Sequence, residues 1–154
     1  MLSPEDRREF REYAWNYFAI HADHRLKVFN FYLVLASLVI GALVTVSGKG
    51  GLNPNHSLLL LLLAFLSFIF WKFEERARML VKNGEAALKY LDREVVNPEE
   101  SPLALFEQDD IKTNALPKWP LSIGYYSYSR VFRWVYAFFG FGSAIIFIAI
   151  RLVA

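Results

Sequence analysis

Apolar and charged positions fall in long blocks along this chain. No charged residue occurs over the 19 positions from Val28 to Val46, the 15 from Ser57 to Trp71, or the 17 from Trp134 to Ile150. A helix needs about 20 apolar residues to cross a hydrocarbon core of roughly 30 Å. The first block meets that length. The second does so with Phe73 and the aliphatic stem of Lys72, and the third with Val131 and Phe132. Between the first two, GKGGLNPNH is a turn rich in glycine and proline that makes them a tight hairpin.

The charged blocks also carry helical periodicity. Ser3-Pro4-Glu5-Asp6 reads as a helix start, with a serine cap, proline at the first helical position and acids in the first turn. Phe10, Tyr13, Ala14, Tyr17 and Phe18 follow at helical spacing, and no Gly or Pro intervenes before Gly41. One helix over about 4–46 is expected, or else an amphipathic segment lying on the membrane and bending near His21–His24. After Trp71 no proline appears until Pro98. Phe73, Ala77, Leu80, Gly84, Ala87 and Leu91 form a heptad-like seam that needs the amino-terminal helix, another subunit, or both. Residues 94–110 hold six acids, no base and two prolines, and read as a linker. Pro117, Pro120 and Gly124 mark a second irregular stretch.

The fold class expected is therefore an all-α membrane protein with three transmembrane helices and long cytosolic helical extensions. Its parts are a cytosolic amphipathic helix (1–27), a transmembrane hairpin (28–72), a cytosolic helix with acidic linker (73–130) and a third transmembrane helix (131–154). Hydrophobic residues reach 55% of 154 positions while 21% remain charged, a combination that suits such segregation better than a soluble domain. Five bases in 1–27 and nine in 72–130, against Lys49 alone in the link and Arg151 at the far end, place the amino terminus inside and the carboxyl terminus outside an inner (plasma) membrane. Tyr125, Tyr126, Tyr128 and Trp134 suit the inner aromatic belt. The first apolar run starts too late, and without an A-x-A site, for a cleaved signal peptide.

Chemistry is sparse. There is no cysteine, which excludes thiolate nucleophiles, thiolate metal sites and disulfides. His21 and His24, three apart, have no third ligand signalled, and Glu99-Glu100 and Asp109-Asp110 sit where nothing positions them. No metal site, cofactor or enzyme activity is expected. Within the first span, Asn30, Ser37, Gly41 and Thr45 share one helical stripe with Val34. Such a stripe packs against another helix or lines water. Gly140 and Ala144 make a small-xxx-small pair in the third span, which expects a partner helix. Arg76, Arg78, Lys82, Lys89 and Arg93 form a basic face beyond the second span. It is either a stem attracted to anionic lipid or an anionic-ligand site repeated by symmetry. The acidic segment behind it has the charge to meet it after a short turn.

The stretch YAWNYFAIHADHRLKVFNFYLVLASLVIG (Tyr13–Gly41), followed by FWKFEERARMLVKNGEAALKYL (Phe70–Leu91), resembles the small SLATT-like membrane effectors of bacterial antiphage defence. Among these it is most similar to the membrane subunit of Hailong systems. The resemblance covers about 80 residues by architecture, and the third span departs from the two-span pattern. It implies a homo-oligomeric channel controlled by a nucleotide or DNA-oligomer ligand that a partner nucleotidyltransferase makes. A tetramer is the expected assembly, with Phe73, Ala77, Leu80, Gly84, Leu91, Gly140 and Ala144 as assembly residues. The alternative is a non-conducting membrane anchor or scaffold for a cytosolic partner.

Overall fold

In the computed structural model, Ser3 caps the first helix as its sequence implies. Its Oγ accepts the Asp6 N–H at 3.1 Å and donates to the Asp6 carboxylate at 2.7 Å, a reciprocal cap that satisfies two otherwise orphaned donors when the Ser3 N–H also reaches that carboxylate at 3.3 Å. From there α1 runs unbroken over Pro4–Ser47, and Gly48 ends it at a positive φ of 36°, a conformation open to glycine. The structure describes residues 3–48, 55–95, 104–115 and 128–153. Helix α2 spans Leu58–Val95, α3 Leu105–Ala115 and α4 Tyr128–Val153, so the described residues are all-helical. Much of the hairpin turn, the irregular stretch around Pro117 and Pro120, and Tyr125 and Tyr126 lie outside the described residues.

Two of these helices, α1 and α4, are long and apolar enough to cross a membrane. The apolar part of α2 is shorter, from Leu58 to Trp71, because Lys72, Glu74 and Glu75 follow.

The chain divides into two compact units. One, here the apolar unit, is Arg25–Arg76 with Tyr128–Ala154; the other, the charged unit, is Met1–His24 with Ala77–Ser127. The apolar unit packs three helical segments around Tyr32, Ala36, Leu63, Phe70, Phe132 and Tyr136. Phe29 stacks on Phe132 with ring centroids 3.9 Å apart. Gly140 lets α4 approach α2 closely, since a Cβ there would lie 3.1 Å from the Ser67 Cβ. The charged unit centres on Ala14, Leu88 and Leu91, with Phe18 and Phe106 against them.

Burial along α2 follows one heptad seam. Leu60, Leu63, Ser67, Phe70 and Glu74 are buried in the apolar unit, and Ala77, Val81, Gly84, Leu88 and Leu91 in the charged unit. The steps alternate three and four residues throughout, the period that keeps one face of a helix against its neighbours. The seam expected from sequence shares Ala77, Gly84 and Leu91 with it. At the intervening steps the buried side chains are Val81 and Leu88, while Leu80 is half-buried and Phe73 and Ala87 are exposed.

The acidic segment departs from its expectation as a linker, because its second half is helical. Ala104 O accepts the Gln108 N–H at 3.0 Å to open α3, and Glu107 sits in the first turn, where a carboxylate suits the helix dipole.

Candidate functional site

The first candidate lies on α1 of the apolar unit. Tyr32 and Ala36 turn inward and are buried, whereas Asn30, Val34, Ser37, Gly41 and Thr45 are exposed along the opposite face. A Cβ at Gly41 would meet nothing within 4 Å. The Ser37 hydroxyl donates to Leu33 O and that of Thr45 to Gly41 O, each at 2.8 Å. Both hydroxyls therefore keep oxygen lone pairs facing outward with their protons already placed. The described residues leave the whole stripe open.

Gly140 and Ala144 are used differently. Gly140 closes on Ser67 of α2 and so already serves contact within the chain, while Ala144 is half-buried.

A second feature of the apolar unit was not legible as a site in the sequence. The Arg25 guanidinium holds Glu74 in a two-pronged pair, its Nε donating to the two carboxylate oxygens at 2.9 and 3.0 Å and its Nη2 to Oε1. That Nη2 also donates to Ser129 Oγ at 2.8 Å, and the guanidinium carbon lies 5.2 Å from the Phe132 ring centroid. One cation thus joins α1, α2 and α4. Glu74 occupies a seam position, and its side chain is only 2% exposed against 11% for Arg25. The charges at 25 and 74, on the edges of apolar runs, look like ordinary flanking residues, and only the seam register places Glu74 inward. Deeper in the same core the Tyr32 hydroxyl and Ser67 Oγ lie 2.8 Å apart, and Ser67 donates on to Leu63 O. The Tyr136 hydroxyl is buried without a hydrogen-bond partner among the described residues.

In the charged unit, α3 covers part of the basic face of α2. Lys89 pairs with Asp110 at 2.6 Å and Arg93 with Glu107 at 2.5 Å. Four residues separate the bases and three the acids, so one face of each helix meets the other with the chains antiparallel. The hydrogen bond from Lys89, chiefly, holds the Asp110 carboxyl below its ordinary value of 3.8. Lys82 pairs instead with Glu85 of its own helix, Arg78 is half-buried, and Arg76 ends the apolar unit. The five basic residues expected to act together are therefore distributed. Two face α3 and one is held locally.

On another face of the charged unit, α1 and α2 pack at van der Waals limits. A Cβ at Gly84 would meet Phe18 Cβ at 2.9 Å and Phe18 Cα at 3.0 Å. Arg7 reaches Glu94 and Arg11 reaches Asp92, while the Tyr90 hydroxyl donates to Glu94. That hydrogen bond, first of all, pushes the Tyr90 phenol up from its usual range. His21 lies edge-on to Tyr17, centroids 4.4 Å apart, and no cluster of three or more potential metal ligands occurs among the described residues.

Comparison with known proteins places this architecture. CD-NTase-associated protein 19 of Escherichia coli is 40% identical over 87 residues, covering 56% of this chain. The chain spans 58% of the length of that relative. No solved structure matches the chain. The model of the octameric membrane protein family matches residues 9–153, nearly the whole sequence, and with two helices apolar enough to cross a bilayer the chain belongs to that family of membrane proteins.

Proposed function

We propose that this chain is a membrane effector of bacterial antiphage defence. It assembles into an oligomeric channel gated by a nucleotide or DNA-oligomer signal bound on the cytosolic side. The observation that carries conduction is the open stripe of Asn30, Ser37, Gly41 and Thr45 on α1, whose opposite face is sealed by Tyr32 and Ala36. A polar stripe in a span is costly against lipid and favourable against water or another helix. Three helices cannot enclose an ion path, so the path requires neighbouring copies. The family's description as octameric supports eight copies over the four expected from sequence.

In this reading α2 supplies a third crossing. Its apolar part is about 21 Å long at 1.5 Å per residue, and Phe73 and the aliphatic stem of Lys72, whose ammonium snorkels, complete the passage. The amino terminus and the charged unit then lie in the cytoplasm, on the side richer in lysine and arginine. The relative's name couples it to a CD-NTase, which supports a nucleotidyltransferase as the source of the signal. The DNA-oligomer form of that signal comes from the resemblance to Hailong effectors.

The gate we propose is electrostatic. Glu107 and Asp110 of α3 already occupy Arg93 and Lys89, so a phosphate-bearing ligand that takes those cations displaces α3. Ligand and helix then favour different arrangements, and differential affinity is what a gate requires. The protein does no covalent chemistry in this account.

The test is ion flux from liposomes holding the purified protein, with and without the product of the partner nucleotidyltransferase. Ligand-dependent flux supports the reading. Vesicles that stay tight around a correctly assembled oligomer contradict it and favour the second reading, a non-conducting anchor. One observation speaks for that second reading. Ser37 and Thr45 satisfy their hydroxyl protons on their own helix, which also suits close packing against a neighbouring span.

A further inference from the structure

The charged unit carries an apolar groove that the described residues leave unfilled. Phe10, Tyr13 and Tyr17 of α1 form one wall, and Asn83, Ala87 and Tyr90 of α2 the other, around a volume of about 480 Å³. Phe10, Tyr13 and Tyr90 are 52%, 68% and 60% exposed. Lipid covers exposed aromatics on a span, but these belong to the unit that lies outside the apolar runs. In water a contiguous patch of this kind marks a contact surface.

We propose that this groove is where a helix of a second copy of the chain docks. The inference rests on the oligomeric reading above and adds the surface by which copies meet. Three observations select this occupant. First, the groove is long and open. Phe10 to Tyr17 and Asn83 to Tyr90 each cover about 10 Å of helix, the reach of side chains at i, i+3 or i+4, and i+7 from a helix laid into it.

Second, the chemistry is wrong for a phosphate-bearing ligand. Lys82, Lys89 and Arg93 lie on a different face of α2, roughly 105° round the helix from Asn83, Ala87 and Tyr90 at about 100° per residue. All three have carboxylate partners. Third, it is wrong for an anionic lipid surface. The groove is concave, and its rim offers no net positive charge, since Arg7 and Arg11 beside Phe10 are paired with Glu94 and Asp92 at the Tyr90 end. A family described as octameric needs a surface repeated at every contact between copies, and tyrosine-rich apolar pockets are where such contacts concentrate their energy.

The experiment uses the full-length chain in native membranes, with p-benzoylphenylalanine placed singly at position 13 or 87. Illumination is expected to give an adduct of twice the chain mass at both positions, and little at exposed Arg8 on the far side of α1. In parallel, Tyr13→Glu/Ala87→Glu should shift the native mass in detergent from the full assembly to smaller species while helicity is retained. Adducts to lipid alone, or none, together with an intact assembly in the double variant, overturn the groove as an interface and leave the oligomeric reading standing. A wild-type chain that is monomeric in the same measurement overturns both.

Discussion

Arg25 and Glu74 form a two-pronged ion pair that is almost wholly withdrawn from solvent and tied to Ser129 on a third helix. Two buried charges offset each other only while both are present. Arg25→Leu or Glu74→Leu alone should therefore destabilise the protein by roughly 3–5 kcal/mol, whereas Arg25→Leu/Glu74→Leu should cost far less. Unfolding of the four species in detergent, taken as a double-mutant cycle, measures the difference. Additive losses would mean that the pair is solvated in the membrane.

Two buried tyrosines in the same core should respond oppositely. Tyr32 shares a hydrogen bond with Ser67, so Tyr32→Phe should lose about 1 kcal/mol, and Ser67→Ala about 1–3 kcal/mol because it strands a buried hydroxyl. The Tyr136 hydroxyl has no such partner among the described residues. Tyr136→Phe should be neutral or stabilising, which thermal unfolding of the three variants can check.

Gly84 and Gly41 make a second contrast. Both are helical, and alanine gains up to about 1 kcal/mol of helix propensity over glycine. At Gly41 that gain is open, since nothing lies within 4 Å of the added methyl. At Gly84 the methyl meets the Phe18 backbone, and overpacking costs about 1–3 kcal/mol. Gly84→Ala should lower the unfolding midpoint while Gly41→Ala raises or preserves it.

These contrasts also mark how far the sequence was legible. Block segregation and the uninterrupted run from Pro4 to Gly41 gave α1 and most of α2 to within a residue or two. The seam was half read. Phe73, Leu80 and Ala87 are as apolar as Val81 and Leu88, so composition does not choose between registers one residue apart. The choice follows from Gly84 meeting Phe18 and from Glu74 turning to Arg25, contacts about 50 or more positions apart in sequence. Helix α3 was masked by its six-acid surroundings, whose repulsion is relieved only when Lys89 and Arg93 are opposite. The residues of the stripe were legible, because polar residues within an apolar run announce themselves, but their exposure on α1 came from the fold.

The docking of α3 should be sensitive to acid. Asp110 has its carboxyl lowered chiefly by the hydrogen bond from Lys89, so the docked state binds that proton less readily than the undocked one. Its contribution is complete above the ordinary value of 3.8 and is lost as pH falls through the lowered one. The protection of residues 105–112 from hydrogen exchange, relative to the intrinsic rate at each pH, should hold steady from neutral pH down to about 5 and fall in more acid solution. Asp110→Asn should show the reduced protection at every pH. Full protection of that variant at neutral pH would mean that the Arg93–Glu107 pair and apolar contact through Phe106 suffice to hold α3.

The central claim, that the polar stripe of α1 faces a conducting path in the assembled protein, is tested most directly by blocking that path from within. The chain has no native cysteine, so Ser37→Cys, Gly41→Cys and Thr45→Cys each present a single thiol to a charged, water-soluble thiol reagent during ion flux from liposomes. The account predicts block at all three positions and none at Ala36→Cys, whose side chain is buried against α2 and α4. Flux that persists unchanged in all three stripe variants after the reagent is added would contradict it.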